Sequence, residues 1–218
     1  MKITCISDTH NKHQQIPLKY LSGGDVIIHA GDISGRGWVG EVQGFLDWYS
    51  KLPYTHKILI AGNHDFFFEK NSQREIDEIL ANYPTITYLK DSGIVIDGVK
   101  IWGSPWQPWF YNWAFNCRGE EIKQYWDMIP LDTDILITHG PIRGYLDMTL
   151  EGDLTGCPYL LEYINKMPNL KYHICGHIHE AYGRYLSNNG VEYINASVLG
   201  RDYIMKNAPI ELILDKHD

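Results

Sequence analysis

Lys57-Ile58-Leu59-Ile60-Ala61-Gly62-Asn63-His64-Asp65 is an apolar run that stops at a glycine and hands over to side chains able to bind metal or move protons. A short run without polar alternation reads as a strand buried on both faces, as in a sheet covered on each side. The same construction recurs four times. Residues 1–7 end at Asp8-Thr9-His10, residues 25–30 at Gly31-Asp32, residues 134–138 at His139-Gly140, and residues 172–175 at Gly176-His177-Ile178-His179. Five strands therefore deliver polar residues at the same end, where layered α/β sheets place their binding sites.

Helical periodicity fills the intervals over residues 39–49, over 72–82 with Ile76, Ile79 and Leu80 on one face, and over 158–167. Two hairpins interrupt the alternation, one turning at Asp97-Gly98 and the other at residues 187–190, and residues 209–214 read as a last strand before a charged tail. Hairpins in the second half imply a mixed or second sheet. One segment departs from the pattern: around residues 102–115, Trp102, Trp106, Trp109, Phe110, Tyr111 and Trp113 are interleaved with Gly103, Pro105 and Pro108. This irregular aromatic loop is either a satellite cluster capping the sheet or a wall that stacks on a flat group of the substrate.

The strand tips together offer two carboxylates, one carboxamide and four imidazoles: Asp8, Asp32, Asn63, His10, His139, His177 and His179. That is close to the donor set of two neighbouring divalent cations and implies a dinuclear metal hydrolase. Imidazole mixed with carboxylate favours manganese, iron or zinc over magnesium or calcium. A chain of 218 residues with 44% hydrophobic and 21% charged residues suits one domain spanning residues 1–218. Its net charge of −8 argues against nucleic acid, which is bound by neutralising phosphates, but leaves a small phosphoester substrate open. Cys5, Cys117, Cys157 and Cys175 form no CxxC pair, and the first strand leaves no room for a cleavable leader, so a reduced, cytoplasmic protein is expected. No apolar run approaches the roughly 20 residues of a membrane span.

The order D-x-H, G-D, G-N-H-D, T-H-G, G-H-x-H resembles the calcineurin-like metallophosphoesterase superfamily over nearly the whole chain. Residues 29–34, 103–110, 139–141 and 176–180, with Asn195-Ala196-Ser197, are similar to the metallophosphoesterase-domain proteins grouped with class III cyclic nucleotide phosphodiesterases. The resemblance implies a four-layer fold, a two-sheet mixed β-sandwich flanked by helices. It also implies that Asp8, His10, Asp32 and His179 hold one metal and that Asp32, Asn63, His139 and His177 hold the other, with Asp32 bridging. A hydroxide shared by the two ions would then attack phosphorus in line. His64 is the expected proton donor to the leaving group, with Asp65 orienting its imidazole or raising its basicity. Asn63, His64 and Arg36 are expected on the substrate, Arg36 from the position that related protein phosphatases give an arginine in G-D-x-x-D-R-G, although Gly35 here replaces the acid.

The expected activity is a metal-dependent phosphodiesterase acting on small phosphoesters, including cyclic nucleotides. The alternatives are a phosphomonoesterase such as a protein phosphatase, and a non-catalytic binding scaffold. His29 and His173 lie inside apolar strands and read as core residues. Glu180 and Asn195 are either supports for a ligand histidine or simply parts of turns.

Overall fold

The computed structural model describes residues 1–214. Its first half runs β1 (Lys2–Ile6), β2 (Gly24–Ala30), α1 (Val39–Tyr49), β3 (Tyr54–Ile60), α2 (Phe66–Lys70), α3 (Gln73–Leu80) and β4 (Ile86–Tyr88). Its second half runs β5 (Ser92–Ile96), β6 (Val99–Ser104), β7 (Gln107–Pro108), β8 (Asn116–Cys117), α4 (Lys123–Trp126), β9 (Ile135–Thr138), α5 (Pro158–Ile164), β10 (Tyr172–Cys175), β11 (Gly183–Leu186), β12 (Glu192–Asn195) and β13 (Ile210–Ile213). The five sequence-read strands and the three helices appear at their expected places, with the last helix ending at Ile164 because residues 165–167 close it as a turn.

Two mixed sheets result. One has the order β13-β1-β2-β3-β4, with β13 antiparallel to β1 and the rest parallel; the other has the order β11-β12-β10-β9-β6-β5, with both edge strands antiparallel to their neighbours. Side chains alternate across each strand, which decides what each sheet covers. Val26, Ile28, Ile58 and Ile60 of the first sheet meet Ile101, Ile135, Ile137, Ile174 and Ile194 of the second in one apolar interior. Ile27 and Leu59 point the opposite way, onto Val42, Phe45, Leu46 and Tyr49 of α1. Leu136 and Tyr193 likewise point outward onto Trp126, Leu160 and Ile164. Helix, sheet, sheet, helix is thus the layer order, and strands buried on both faces explain the unbroken apolar runs.

Local chemistry supports the helices. Ser72 caps α3 through a reciprocal pair, its Oγ accepting from Glu75 N while the Glu75 carboxylate accepts from Ser72 N at 2.8 Å. The Tyr49 hydroxyl sits 3.0 Å from Ile27 O and 2.8 Å from Ile58 O, pinning α1 to two neighbouring strands.

The aromatic segment divides rather than forming one loop. Trp102 to Ser104 belong to β6, and Trp106 stacks on Tyr125 with centroids 3.9 Å apart, so that part is core. From Trp109 onward the chain leaves the sheet and crosses the strand tips, tied down by Ala114 N to Asn63 O at 3.1 Å and Phe115 N to Glu69 at 2.6 Å. The capping reading therefore holds for Trp102 and Trp106, while Phe110 and Trp113 lie against His177 and His64 at the strand tips.

His29 and His173 are core residues, as expected: each is buried and each meets a threonine, His29 Nε2 with Thr9 Oγ1 at 3.0 Å and His173 Nε2 with Thr138 Oγ1 at 2.8 Å. Because the Thr138 hydroxyl donates to Gly140 O at 2.7 Å, it accepts from His173, which tethers the tip of β9. Burial pushes the His173 pKa down to about 3. The unfolded chain, with a value of about 6.5, takes up the proton first, so this stabilisation is complete above about pH 6.5 and drains away as the pH falls towards 3. Urea denaturation of chelator-treated protein should show a midpoint falling from about pH 7 to about pH 5, and His173→Gln, whose amide still reaches Thr138, should show a shallower fall.

Candidate metal centre

Seven candidate ligands arrive from the C-terminal ends of β1, β2, β3, β9 and β10, and the backbone there is strained to aim them. Asp8, His10, Asp32 and His177 have φ of 54°, 40°, 59° and 69°, a left-handed conformation costing non-glycine residues on the order of 1 kcal/mol each. Cross-loop hydrogen bonds hold it: Asp8 N to Gly31 O at 3.0 Å and His10 N to Asp32 O at 3.1 Å. The glycines of the motifs answer to close approach. A Cβ on Gly62 would lie 2.3 Å from Asp32 Oδ1, and one on Gly176 would lie 2.1 Å from Asp8 Oδ2, so any side chain at either place displaces a carboxylate.

The donors converge. His179 Nε2 is 3.5 Å from Asp8 Oδ1 and 3.3 Å from His10 Nε2; His10 Nε2 is 3.6 Å from Asp32 Oδ2. On the far side of Asp32, His139 Nε2 lies 3.3 Å from Oδ2 and 2.9 Å from Asn63 Oδ1, with His177 against the His139 ring at a centroid distance of 5.1 Å. Asp8, His10 and His179 form one potential ligand cluster and Asp32, His139 and His177 another, while Asp32 also groups with His10 and His64. Asp32 therefore stands between the halves, where a bridging carboxylate belongs.

The chemistry of the set fits cations. His10, His139 and His179 each place Nδ1 against a backbone carbonyl, of Ser34 at 3.2 Å, Ala30 at 2.9 Å and Gly200 at 3.0 Å, so each turns an Nε2 lone pair inward. Inward they meet other acceptors, which is repulsive unless a proton or a metal lies between. Ligands about 2.0–2.2 Å from one ion stand about 2.8–3.6 Å from each other, which is the spacing found. Without cations, protons do this work. Burial alone would lower His139 and His179, but Asp32 and Asp8 respectively raise them to about 9. Burial dominates at His10 and His177, lowering them to about 4 and about 3. Burial would likewise raise Asp8 and Asp32, yet the imidazoles hold both carboxyls below the usual range, His179 acting on Asp8 and His139 on Asp32.

His64 stands half-buried beside Asp32, its backbone N–H donating to Asp32 Oδ1 at 2.8 Å. The expected pairing with Asp65 is corrected by the structure: the partner of His64 Nδ1 is Gly35 O at 2.8 Å. Asp65 is buried instead among Ile33 N, Ser34 N, Ser34 Oγ and Gly62 N at 2.6–3.2 Å, clasping the loops after β2 and β3 together. The two side chains of consecutive residues diverge because Asp65 points into the protein and His64 into the cleft. Arg36 is exposed at the rim with its guanidinium 5.4 Å from the Trp113 ring.

Several contacts at the centre, and Tyr203 altogether, escaped the sequence reading. Ser197 Oγ donates to Asp8 Oδ2 at 2.6 Å, and His177 N to the same oxygen at 3.0 Å. Trp113 stacks on His64 at 4.2 Å, and Tyr203 packs edge-on against His10 at 4.9 Å and His179 at 5.1 Å. Ser197 was findable as the polar tip of another parallel strand, β12; Tyr203 carries no local signal. Of the two open cases, Asn195 supports the His177–His179 turn, its Nδ2 donating to Ile178 O at 2.8 Å, whereas Glu180 accepts from Leu150 N at 3.1 Å.

A family model for the calcineurin-like phosphoesterases matches residues 1–181. The chain belongs to this family. It is 38% identical over 234 residues to human metallophosphoesterase domain-containing protein 1, covering 98% of this chain and 71% of the relative. It is 36% identical to a UPF0046 protein of Caenorhabditis elegans, covering 99% and 80%. Among solved structures, a protein of Thermus thermophilus superposes with a TM-score of 0.62 at 13% identity over 89% of this chain and 88% of that one. An archaeal phosphodiesterase does so with a TM-score of 0.50 at 17% identity over 98% and 100%. These likenesses show the metallophosphoesterase fold, and the family makes the chain a metal-dependent phosphoester hydrolase.

Metal loading of this phosphoesterase near pH 7 should displace one proton from His139 and one from His179, because both sit at about 9 without metal. Calorimetric titration of the metal-free protein in buffers of differing ionisation enthalpy should report release of about two protons, and apparent affinity should rise with pH up to about 9.

Proposed function

We propose that the protein is a phosphodiesterase for small phosphoesters, using two divalent cations of the manganese, iron or zinc type. Asp8, His10, Asp32 and His179 would hold one, and Asp32, Asn63, His139 and His177 the other. Bound there, the pair supplies Lewis acidity to the phosphoryl oxygens and an acidified water. The observation that carries this reading is the meeting of two donor clusters on Asp32 with His64 beside it. The four cysteines are buried thiols, which suits a cytoplasmic setting.

His64 handles the leaving group. With Nδ1–H donated to Gly35 O, its other nitrogen, Nε2, carries the transferable proton, and the carbonyl steadies the imidazolium before transfer. Asn63 and His64 contact substrate from one loop, and Asp65 fixes that loop without touching the reacting atoms. Arg36 is the guanidinium available to a phosphoryl oxygen at the rim. Neighbouring cations are engaged elsewhere: Arg143 donates to Leu154 O, Arg201 pairs with Glu151, and Arg118 lies over Trp109. That supply suits a diester monoanion better than a monoester dianion.

Metal-loaded protein should hydrolyse bis(p-nitrophenyl) phosphate with higher kcat/KM than p-nitrophenyl phosphate; the reverse order would make it a phosphomonoesterase. Asp32→Asn should lose both bound metal, by elemental analysis, and hydrolysis. His64→Ala should retain metal but turn over a diester with a phenolate leaving group about a hundredfold more slowly, and one with p-nitrophenolate much less so, since a good leaving group needs no proton. Equal losses for the two would refute the acid role of His64.

A further inference from the structure

Beyond His177 the candidate metal centre opens into a cavity of about 430 Å³ that no step above uses. Its walls are Pro108, Trp109 and Phe110 on one side and Pro141 and Ile178 on the other. Of the three polar side chains among its lining residues, His177 is a candidate metal ligand and the two threonines are committed to their own loop: Thr155 Oγ1 donates to Asp147 O at 3.0 Å, and Thr149 Oγ1 accepts from Asp153 N at 3.3 Å. Trp109 is braced from outside by the Arg118 guanidinium, 3.8 Å from its ring, and by its own backbone N–H donating to Cys117 O at 2.9 Å. The tip of the loop is held by Asn116 Nδ2, which donates to Phe110 O at 2.8 Å.

The aromatic loop therefore runs from one side of the centre to the other. Trp113 lies on His64, and Phe110 lies against His177 with centroids 4.9 Å apart. A phosphodiester carries two organic groups. If His64 protonates the departing one, the group that stays on phosphorus lies away from His64, towards His177 and the cavity.

We infer that the cavity bounded by Trp109, Phe110, Pro141 and Ile178 is the subsite for the retained ester group, and that it selects a flat, uncharged aryl or heteroaryl group over a small alkyl one. This rests on the phosphodiesterase reading, because a monoester has no retained group. The cavity has the size of an ordinary small-ligand site, and apart from His177 its walls are mostly apolar and carry no charged side chain, which rewards burial of an aromatic face.

The test compares phenyl p-nitrophenyl phosphate with methyl p-nitrophenyl phosphate on the metal-loaded protein. Both lose the same p-nitrophenol as water adds to phosphorus and the P–O bond to that group breaks, leaving phenyl or methyl phosphate. The phenyl ester should have about a tenfold or larger advantage in kcat/KM, the size of effect that apolar contacts in a pocket confer. Trp109→Ala should bring that ratio towards that of the uncatalysed reactions, and Trp109→Phe should restore it. Independently of turnover, calorimetry should find phenylphosphonate bound more tightly than methylphosphonate by the wild type, which decides the matter even if Trp109→Ala does not fold. Equal handling of both diesters, each faster than p-nitrophenyl phosphate, would overturn the subsite and leave the diesterase reading standing. Neither diester surpassing the monoester would overturn both.

Discussion

Two buried carboxylates facing several imidazoles are the constraint around which this protein is arranged. Asp8 and Asp32 are almost wholly removed from water, and an isolated buried carboxylate would cost many kcal/mol. Each is made tolerable by donors that the fold aims at it: Ser197 Oγ and His177 N at Asp8, and His64 N at Asp32. What remains is a demand for positive charge in the centre, met by protons on His139 and His179 or by divalent ions. The left-handed residues at the strand tips and the glycines packed against carboxylate oxygens are the structural cost of that arrangement.

The sandwich explains how such distant segments meet. β1, β2 and β3 end side by side in one sheet, β9 and β10 in the other, and the apolar interior shared by the sheets brings the two sets of tips face to face. An isolated bridge between Ser7 and Ser197 and the bond from Val198 N to Ser7 O join them across the site. Hydrogen bonds from Asp65 and Asn195 then tie down the loops that follow, holding the donors at the fixed distances that chemistry requires beneath the aromatic loop.

Strand positions were readable because burial on both faces leaves a distinctive trace: Lys57–Ile60, Ile135–Thr138 and Tyr172–Cys175 need no partner to be recognised as apolar segments. The aromatic segment was only half readable. Trp102 and Trp109 look alike in the chain, and it is β6 ending at Ser104 that puts the first in the core and the second at the cavity. Asp65 shows the same limit. Adjacent to His64, it was an obvious partner for it, yet the turn after β3 sends the two side chains in opposite directions, and a carbonyl from another loop, that of Gly35, takes the place beside the imidazole.

The residue sequence by itself determined the layered α/β class, the order of the strands that carry polar tips, and the identity of the donors, because periodicity and side-chain chemistry are local properties. Tertiary structure alone decided that Asp32 stands between the two donor clusters, that Ser197 and Tyr203 border them, and that an apolar cavity opens beside His177. These are relations across gaps of up to 189 residues. They exist only once the two sheets have closed on their common core, and nothing in the local pattern of the chain encodes the distance between their ends.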